Sequence, residues 1–82
     1  MPTVVRFAGY RVVIYPNDHR PEHVHVIGKG VEAVFEVNCP DGDIHLRENY
    51  GASRKEISRM RRELKKFQRL ICEVWEEIHG QG

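Results

Sequence analysis

The chain has 82 residues and a formal net charge of +1, with 40% hydrophobic and 30% charged residues. This length allows one modest core, and the composition is that of a soluble globular domain rather than a disordered segment. The sequence has no signal-peptide pattern and no apolar segment long enough to cross a bilayer, so we expect a cytoplasmic protein with no membrane association. We expect one domain over residues 1–82, with a sheet in 1–50 and a helix in 53–79.

The first two predicted strands form a hairpin. Two short runs rich in β-branched and aromatic residues, 4–7 and 10–15, flank Ala8-Gly9, which is typical of a two-residue turn. Pairing Phe7 with Tyr10 brings the apolar positions of both runs to the same face. The alternation therefore predicts a half-buried antiparallel pair at the start of the sheet.

The next segment holds three of the five histidines within seven residues, after the turn signal Pro16-Asn17-Asp18. Pro21 argues against a helix through this segment, so we expect a strand from about residue 23 to 27. His23 and His25 then lie on one face of it. Since histidine titrates near neutral pH, the pair can supply an acid, a base or a metal ligand.

A Gly-Lys-Gly turn leads into the fourth strand, residues 31–37, in which apolar residues alternate with glutamates. Pairing Val26 with Val31 keeps the apolar faces together and places His25 opposite Glu32. The two histidines then share a face with glutamates, and a neighbouring carboxylate favours the imidazolium. This register favours an acid or orienting role over a zinc ligand.

Pro40-Asp41-Gly42 predicts a turn before a short last strand over residues 44–47. If His45 and Arg47 point the same way as the two histidines of the earlier strand, these four side chains could converge on one anionic group.

The C-terminal third reads as one amphipathic helix, which begins at the capping box formed by Ser53 and Glu56 and ends at Gly80. Its apolar stripe repeats every three or four residues and consists of Ile57, Met60, Leu64, Phe67, Ile71, Val74 and Ile78, widened by Leu70 and Trp75. A helix of about 26 residues is about 40 Å long, longer than the strands can cover. We therefore expect it to overhang, break or meet another subunit, and we favour packing on the chain's own sheet over a homodimer through this helix.

These elements predict an α+β fold: an antiparallel meander of four to five short strands packed by one long C-terminal helix.

Charge is segregated along the chain. Residues 1–53 carry a net charge of −2, residues 54–69 of +6 and the last stretch of −3. The basic segment suggests an anionic partner, either RNA or an acidic protein surface, although a solvated helix face is the commoner explanation of such a run. The candidate RNA-binding or anion-binding residues are Arg47, Arg61, Arg62, Lys65 and Lys66.

The histidine segment supports three interpretations. In a metal-independent ribonuclease, His23 and His25 would divide the general acid and base duties, with His19 as a helper. A metal site would use His23 and His25 with His19, Asp18 or His45, but the spacing matches no established structural-zinc pattern. Alternatively, the histidines are polar residues on the exposed face of a strand. The first interpretation needs no cofactor and no metal.

The two cysteines, Cys39 and Cys72, form neither a CxxC pair nor a dense framework. In a cytoplasmic chain two such thiols are usually reduced, and we expect no function from them.

Several segments together resemble one family of small bacterial proteins. They are the opening Met-Pro-Thr-Val, the Gly9-Tyr10-Arg11 step, the run from Asp18 to Val26, the Ala33-Val34-Phe35 strand and the helix near Trp75. The family is known as the domain of unknown function four-one-six-zero. Many members have a second proline directly before the His-Val-His-Val step, where this chain has Glu22.

The resemblance implies a genetic setting rather than a chemistry. Members are often encoded beside another small protein and are regarded as toxin-antitoxin components. We therefore predict a toxin-like member of a bacterial toxin-antitoxin pair that binds or cleaves RNA, with a small cognate protein encoded nearby as its partner. The alternatives are a non-enzymatic protein-interaction module and a small metal-binding protein.

Overall fold

The computed structural model describes residues 3–80 and contains a five-stranded antiparallel sheet in the order β1-β2-β3-β4-β5. Two helices follow, and their apolar faces pack on one face of the sheet. The strands are β1 (Thr3–Phe7), β2 (Tyr10–Val13), β3 (His23–Gly28), β4 (Val31–Glu36) and β5 (His45–Tyr50), and the helices are α1 (Arg54–Lys66) and α2 (Gln68–His79). The α+β class and the meander order are confirmed.

The first hairpin has the predicted register. Phe7 pairs with Tyr10, and Val5 pairs with Val12. Ala8 has a φ of 49° and the following glycine a φ of 86°. Two consecutive positive φ values are those of a type I′ turn, whose twist matches that of the flanking strands.

The predicted register of the second hairpin is wrong by two residues, because Gly28 rather than Val26 pairs with Val31. Lys29 and Gly30 alone form the turn, with φ values of 53° and 78°, so the residue before them continues the strand. A shift of two residues leaves every side chain on its predicted face. The division of β3 and β4 into a core face and a histidine face is therefore unchanged.

Gly28, the last residue of β3, lies close to the first hairpin. A Cβ at this position would collide with the carbonyl oxygen of Gly9 and lie 2.9 Å from the Cα of Tyr10. Only a residue without a side chain allows the β2 and β3 backbones to approach this closely.

The last strand is longer than predicted and contains an irregularity. The β4 residues Val34 and Phe35 pair with Glu48 and Leu46, so Arg47 is the extra residue of a β-bulge. Arg47 is exposed.

The prediction of one long helix is wrong, because the helix breaks at Phe67 between α1 and α2. The amide of this residue donates to Leu64 O at 3.1 Å, a bond that tightens the last turn of α1. Directly after the break, the buried side chain of Gln68 donates to Val37 O at 2.6 Å and to Gly42 O at 2.8 Å. A break is one of the outcomes expected for a helix longer than the strands, and Gln68 joins this point to the loop after β4.

The predicted capping box begins α1. The Ser53 hydroxyl accepts from the amide of Glu56 at 3.1 Å, and the Glu56 carboxylate accepts from the Ser53 amide at 2.9 Å. Tyr10 also donates to this carboxylate at 2.6 Å. The hydrogen bond from the Ser53 amide, followed by that from Tyr10, lowers the pKa of Glu56, and the bond to the carboxylate raises the pKa of Tyr10. The start of α1 is therefore tied to β2.

The core lies between the helices and one face of the sheet. Its largest fully buried side chains are Trp75 and Phe35. The buried residues of the helical stripe include Ile57, Met60, Leu64 and Ile71. These side chains pack on the chain's own sheet, as predicted. A homodimer through the helix stays a prediction.

The prediction of two reduced cysteines is wrong, because Cys39 and Cys72 form a disulfide. The folded chain brings their Cα atoms to 5.8 Å across a sequence separation of 33 residues, within the range that a disulfide spans. The bond joins the loop after β4 to α2. Since disulfides persist mainly in oxidising compartments, a cytoplasmic location stays a prediction without support from this feature.

Neither helix combines the length and the apolar character that a membrane span requires, over the residues that the structure describes.

Candidate functional site

His23 and His25 alternate along β3 with the core residues Val24 and Val26, as predicted, and their ring centroids lie 5.5 Å apart. Both are less exposed than a solvent-facing strand predicts. The residue exposure of His23 is 7%, and the side-chain exposure of His25 is 16%. The ring of Trp75 lies 5.5 Å from His23, and that of Tyr15 meets His25 edge-on at 4.8 Å.

Asp18 joins the two histidines. Its Oδ1 lies 3.5 Å from His23 Nε2, and its Oδ2 lies 3.3 Å from His25 Nε2. The turn after β2 holds this carboxylate in place, because its Oδ2 accepts from the Tyr15 amide at 3.0 Å and the Asp18 amide donates to Tyr15 O at 3.0 Å. Asp18, His23 and His25 form one partly buried cluster, which we call the His-Asp cluster.

The other ring nitrogens of the histidines face oxygen atoms. His23 Nδ1 lies 2.9 Å from Pro21 O, and His25 Nδ1 lies 3.2 Å from Glu32 Oε2. A carbonyl or carboxylate oxygen can only accept, so both contacts are hydrogen bonds in the tautomer that carries its proton on Nδ1. Both histidines therefore present Nε2 to Asp18.

The predicted contact between His25 and Glu32 is present, although Val34 rather than Glu32 lies directly opposite His25. A diagonal neighbour on the same face is within reach of a long side chain. The exposed His19 lies in the preceding turn and does not belong to the cluster of Asp18, His23 and His25.

The expected convergence of four positive side chains does not occur. Within residues 3–80, no hydrogen bond, ion pair or ring contact joins His45 or Arg47 to the two β3 histidines. His45 pairs with Glu36 across β5 and β4 and is exposed, and Arg47 lies on the bulge. Sequence periodicity does not reveal a bulge, because the extra residue has no pattern of its own.

Four of the predicted anion-binding residues line one groove of about 860 Å³ between α1 and the start of β5. We call it the basic groove. Its lining residues are Asp43, Ile44, His45, Ser58, Arg61, Arg62, Lys65 and Lys66.

Hydrogen bonds to the preceding loop hold two of these cations. Arg61 Nε donates to Ile44 O at 3.2 Å, while Lys65 Nζ donates to Asp41 O at 3.0 Å and to Gly42 O at 2.9 Å. Lys66 Nζ lies 3.3 Å from Glu63 Oε2 in an ion pair on the helix surface. The lysine side chain is mostly exposed and the glutamate side chain mostly buried. Four cations thus share a groove whose lining includes a single carboxylate, Asp43.

The fold and its two sites define a small α+β domain with a partly buried His-Asp cluster and a separate basic groove. The chain belongs to the family Domain of unknown function (DUF4160), whose model matches residues 9–76. The match confirms the resemblance seen in the sequence, and because the family has no established function it assigns no role to any residue. No curated protein and no solved structure is significantly similar to the chain.

Proposed function

We propose that this protein binds RNA through the basic groove, as the toxin-like member of a bacterial toxin-antitoxin pair acting in the cytoplasm. The family has no established function, so the proposal is based on the residues of the basic groove. The observation that carries it is the gathering of Arg61, Arg62, Lys65 and Lys66 beside one carboxylate.

Two features of the basic groove suit a polyanion. Arg61 and Lys65 are oriented by bonds to backbone carbonyls, so part of the entropy cost of ordering them is met before a ligand arrives. The guanidinium of Arg61 uses only its Nε in this bond, which leaves its terminal nitrogens for a phosphate. The cations of the groove can therefore contact the phosphates of an RNA backbone.

The predicted acid and base roles of His23 and His25 have less support than RNA binding. Both Nε2 atoms face Asp18, and that of His25 is shielded from solvent. A general acid or base must come within hydrogen-bond reach of the reacting group. Binding rather than cleavage is therefore the activity that we propose, and cleavage by His23 and His25 stays a prediction.

The first test is a variant series in an anisotropy titration of labelled single-stranded RNA. Arg62→Gln/Lys66→Gln removes two exposed cations of the groove, and Arg6→Gln removes an exposed cation on β1 as a matched control. We expect the double variant to weaken binding and to lower the slope of log affinity against log salt by about 2, or about 1 per lost phosphate contact. The control should bind like the wild type.

Equal affinities for all three chains would contradict the proposal. If the wild type binds no RNA but captures its encoded neighbour through the same two residues, the groove is a protein interface.

The toxin-like role predicts that expression of the chain alone slows bacterial growth and that its encoded neighbour relieves the effect. Growth inhibition should be lost with Arg62→Gln/Lys66→Gln and kept with Arg6→Gln, because only the first changes the basic groove. The measurement is the growth rate after induction, at matched amounts of folded protein. No inhibition, or inhibition by every variant alike, would contradict the role. A folded His23→Ala/His25→Ala chain that remains toxic would exclude acid-base cleavage.

A further inference from the structure

The His-Asp cluster contains a buried nitrogen that the fold does not satisfy. His25 Nε2 is inaccessible to solvent and has no hydrogen-bond partner among the described residues. Asp18 Oδ2 lies 3.3 Å away, but in a direction that does not form a hydrogen bond. A buried polar atom without a partner is costly and calls for an explanation.

The hydrogen bond at the other ring nitrogen indicates what this atom can do. A neutral ring with its proton on Nδ1, donated to Glu32 at 3.2 Å, leaves a lone pair on Nε2. A lone pair in this position can bind a cation.

The ring of His23 has the same orientation. Its Nδ1 lies 2.9 Å from Pro21 O, and its Nε2 lies 3.5 Å from Asp18 Oδ1. Histidines that bind metals in proteins commonly donate the other ring N–H to a carboxylate or a backbone carbonyl, which fixes the tautomer. In this cluster His23 faces a backbone carbonyl and His25 faces a carboxylate.

The distances between the candidate ligand atoms suit one small cation. One ring nitrogen of each histidine and the Asp18 carboxylate lie within 4.8 Å of one another, and the two distances from Nε2 to the carboxylate oxygens are 3.3 and 3.5 Å. With metal-ligand bonds of 2.0–2.1 Å, neighbouring ligands of a tetrahedral zinc ion are separated by about 3.3 Å. The two nitrogen-oxygen distances therefore match those of a bound zinc ion.

We propose that His23 Nε2, His25 Nε2 and the Asp18 carboxylate form a site for a divalent cation of borderline softness, with Zn²⁺ as the best match. Imidazole nitrogens with one carboxylate suit such ions rather than Ca²⁺ or Mg²⁺, which prefer oxygen ligands. Three protein ligands leave a fourth position for water or another small ligand. Pro21 O and Glu32 orient the two rings. The site is separate from the basic groove and does not depend on RNA binding.

The test is a calorimetric titration of chelator-treated protein, purified without a histidine tag, with Zn²⁺. We expect one ion per chain. Asp18→Asn and His25→Gln should each weaken binding more than 100-fold, and Glu32→Gln, which only orients a ring, by about 10- to 100-fold. His19→Ala and His45→Ala are matched controls, because both residues are exposed histidines outside the cluster, and they should bind as the wild type does.

The cobalt-substituted protein provides a second measurement that a loss of folding cannot imitate. The wild type should show the visible absorption of a four-coordinate Co²⁺ site with nitrogen and oxygen ligands, and Glu32→Gln, confirmed as folded by circular dichroism, should shift that spectrum. The proposal is overturned if folded wild-type protein takes up far less than one ion per chain. It is also overturned if folded Asp18→Asn binds Zn²⁺ as tightly as the wild type.

Discussion

Trp75→Ala is expected to lower the free energy of unfolding by about 3–5 kcal/mol, the usual range for truncation of a buried large aromatic side chain. Trp75 is fully buried, with ring centroids 4.0 Å from His79 and 5.5 Å from His23. Its indole nitrogen has no hydrogen-bond partner among residues 3–80. The loss is therefore one of apolar contact and of cavity formation rather than of a hydrogen bond.

Thermal unfolding measures this loss. For a domain of this size each kcal/mol corresponds to about 4–8 °C, so the Tm should fall by more than about 12 °C. Leu70→Ala is the matched control, because Leu70 lies on the same helix and is 42% exposed, and it should change the free energy by less than about 0.5 kcal/mol. Similar losses for the two variants would mean that α2 does not pack through Trp75.

Removal of the disulfide by Cys39→Ala/Cys72→Ala is expected to cost about 3–4 kcal/mol of unfolding free energy, given the entropy of the loop that the bond closes. The bond spans 33 residues of sequence and joins the loop after β4 to α2. Because Gln68 ties the same loop to the start of α2, the folded geometry should survive the loss of the bond. Denaturant titration gives the free-energy difference.

A reducing agent provides the control for this prediction. It should destabilise the wild type by the same amount and leave the double alanine variant unchanged, since the variant has no bond to reduce. A wild type whose stability is insensitive to reductant would show that the two thiols are not paired in solution.

Much of the fold could be predicted from the sequence because short-range patterns determine it. The alternation in β4 and the Ala8-Gly9 turn predicted the strands and the first register, and the Ser53-Glu56 capping box predicted the start of α1. The errors arose where residues distant in sequence determine the structure, or where a local pattern allows two alternatives. The bonds from Gln68 to the loop after β4 depend on contacts that no local pattern contains. The Gly28-Lys29-Gly30 segment is compatible with more than one turn length, so it does not determine the register of the second hairpin.

The candidate sites also combine features that local patterns predict with features that depend on distant contacts. Four basic residues on one helix surface could be predicted to share a groove, because helical periodicity places them there. The sequence placed His23 and His25 on one face, but not their burial beneath Tyr15 and Trp75. Asp18 was only one of several candidate partners for the pair, because its position depends on how the turn after β2 folds back.

The central claim is that the basic groove holds RNA, and the most direct measurement is an NMR titration of isotopically labelled protein with single-stranded RNA at low salt. The account predicts that amide signals of residues 41–45 and 58–66 shift, that those of the first hairpin do not, and that the shifts diminish as salt is added. No shifts at low salt, or shifts confined to the first hairpin, would contradict it.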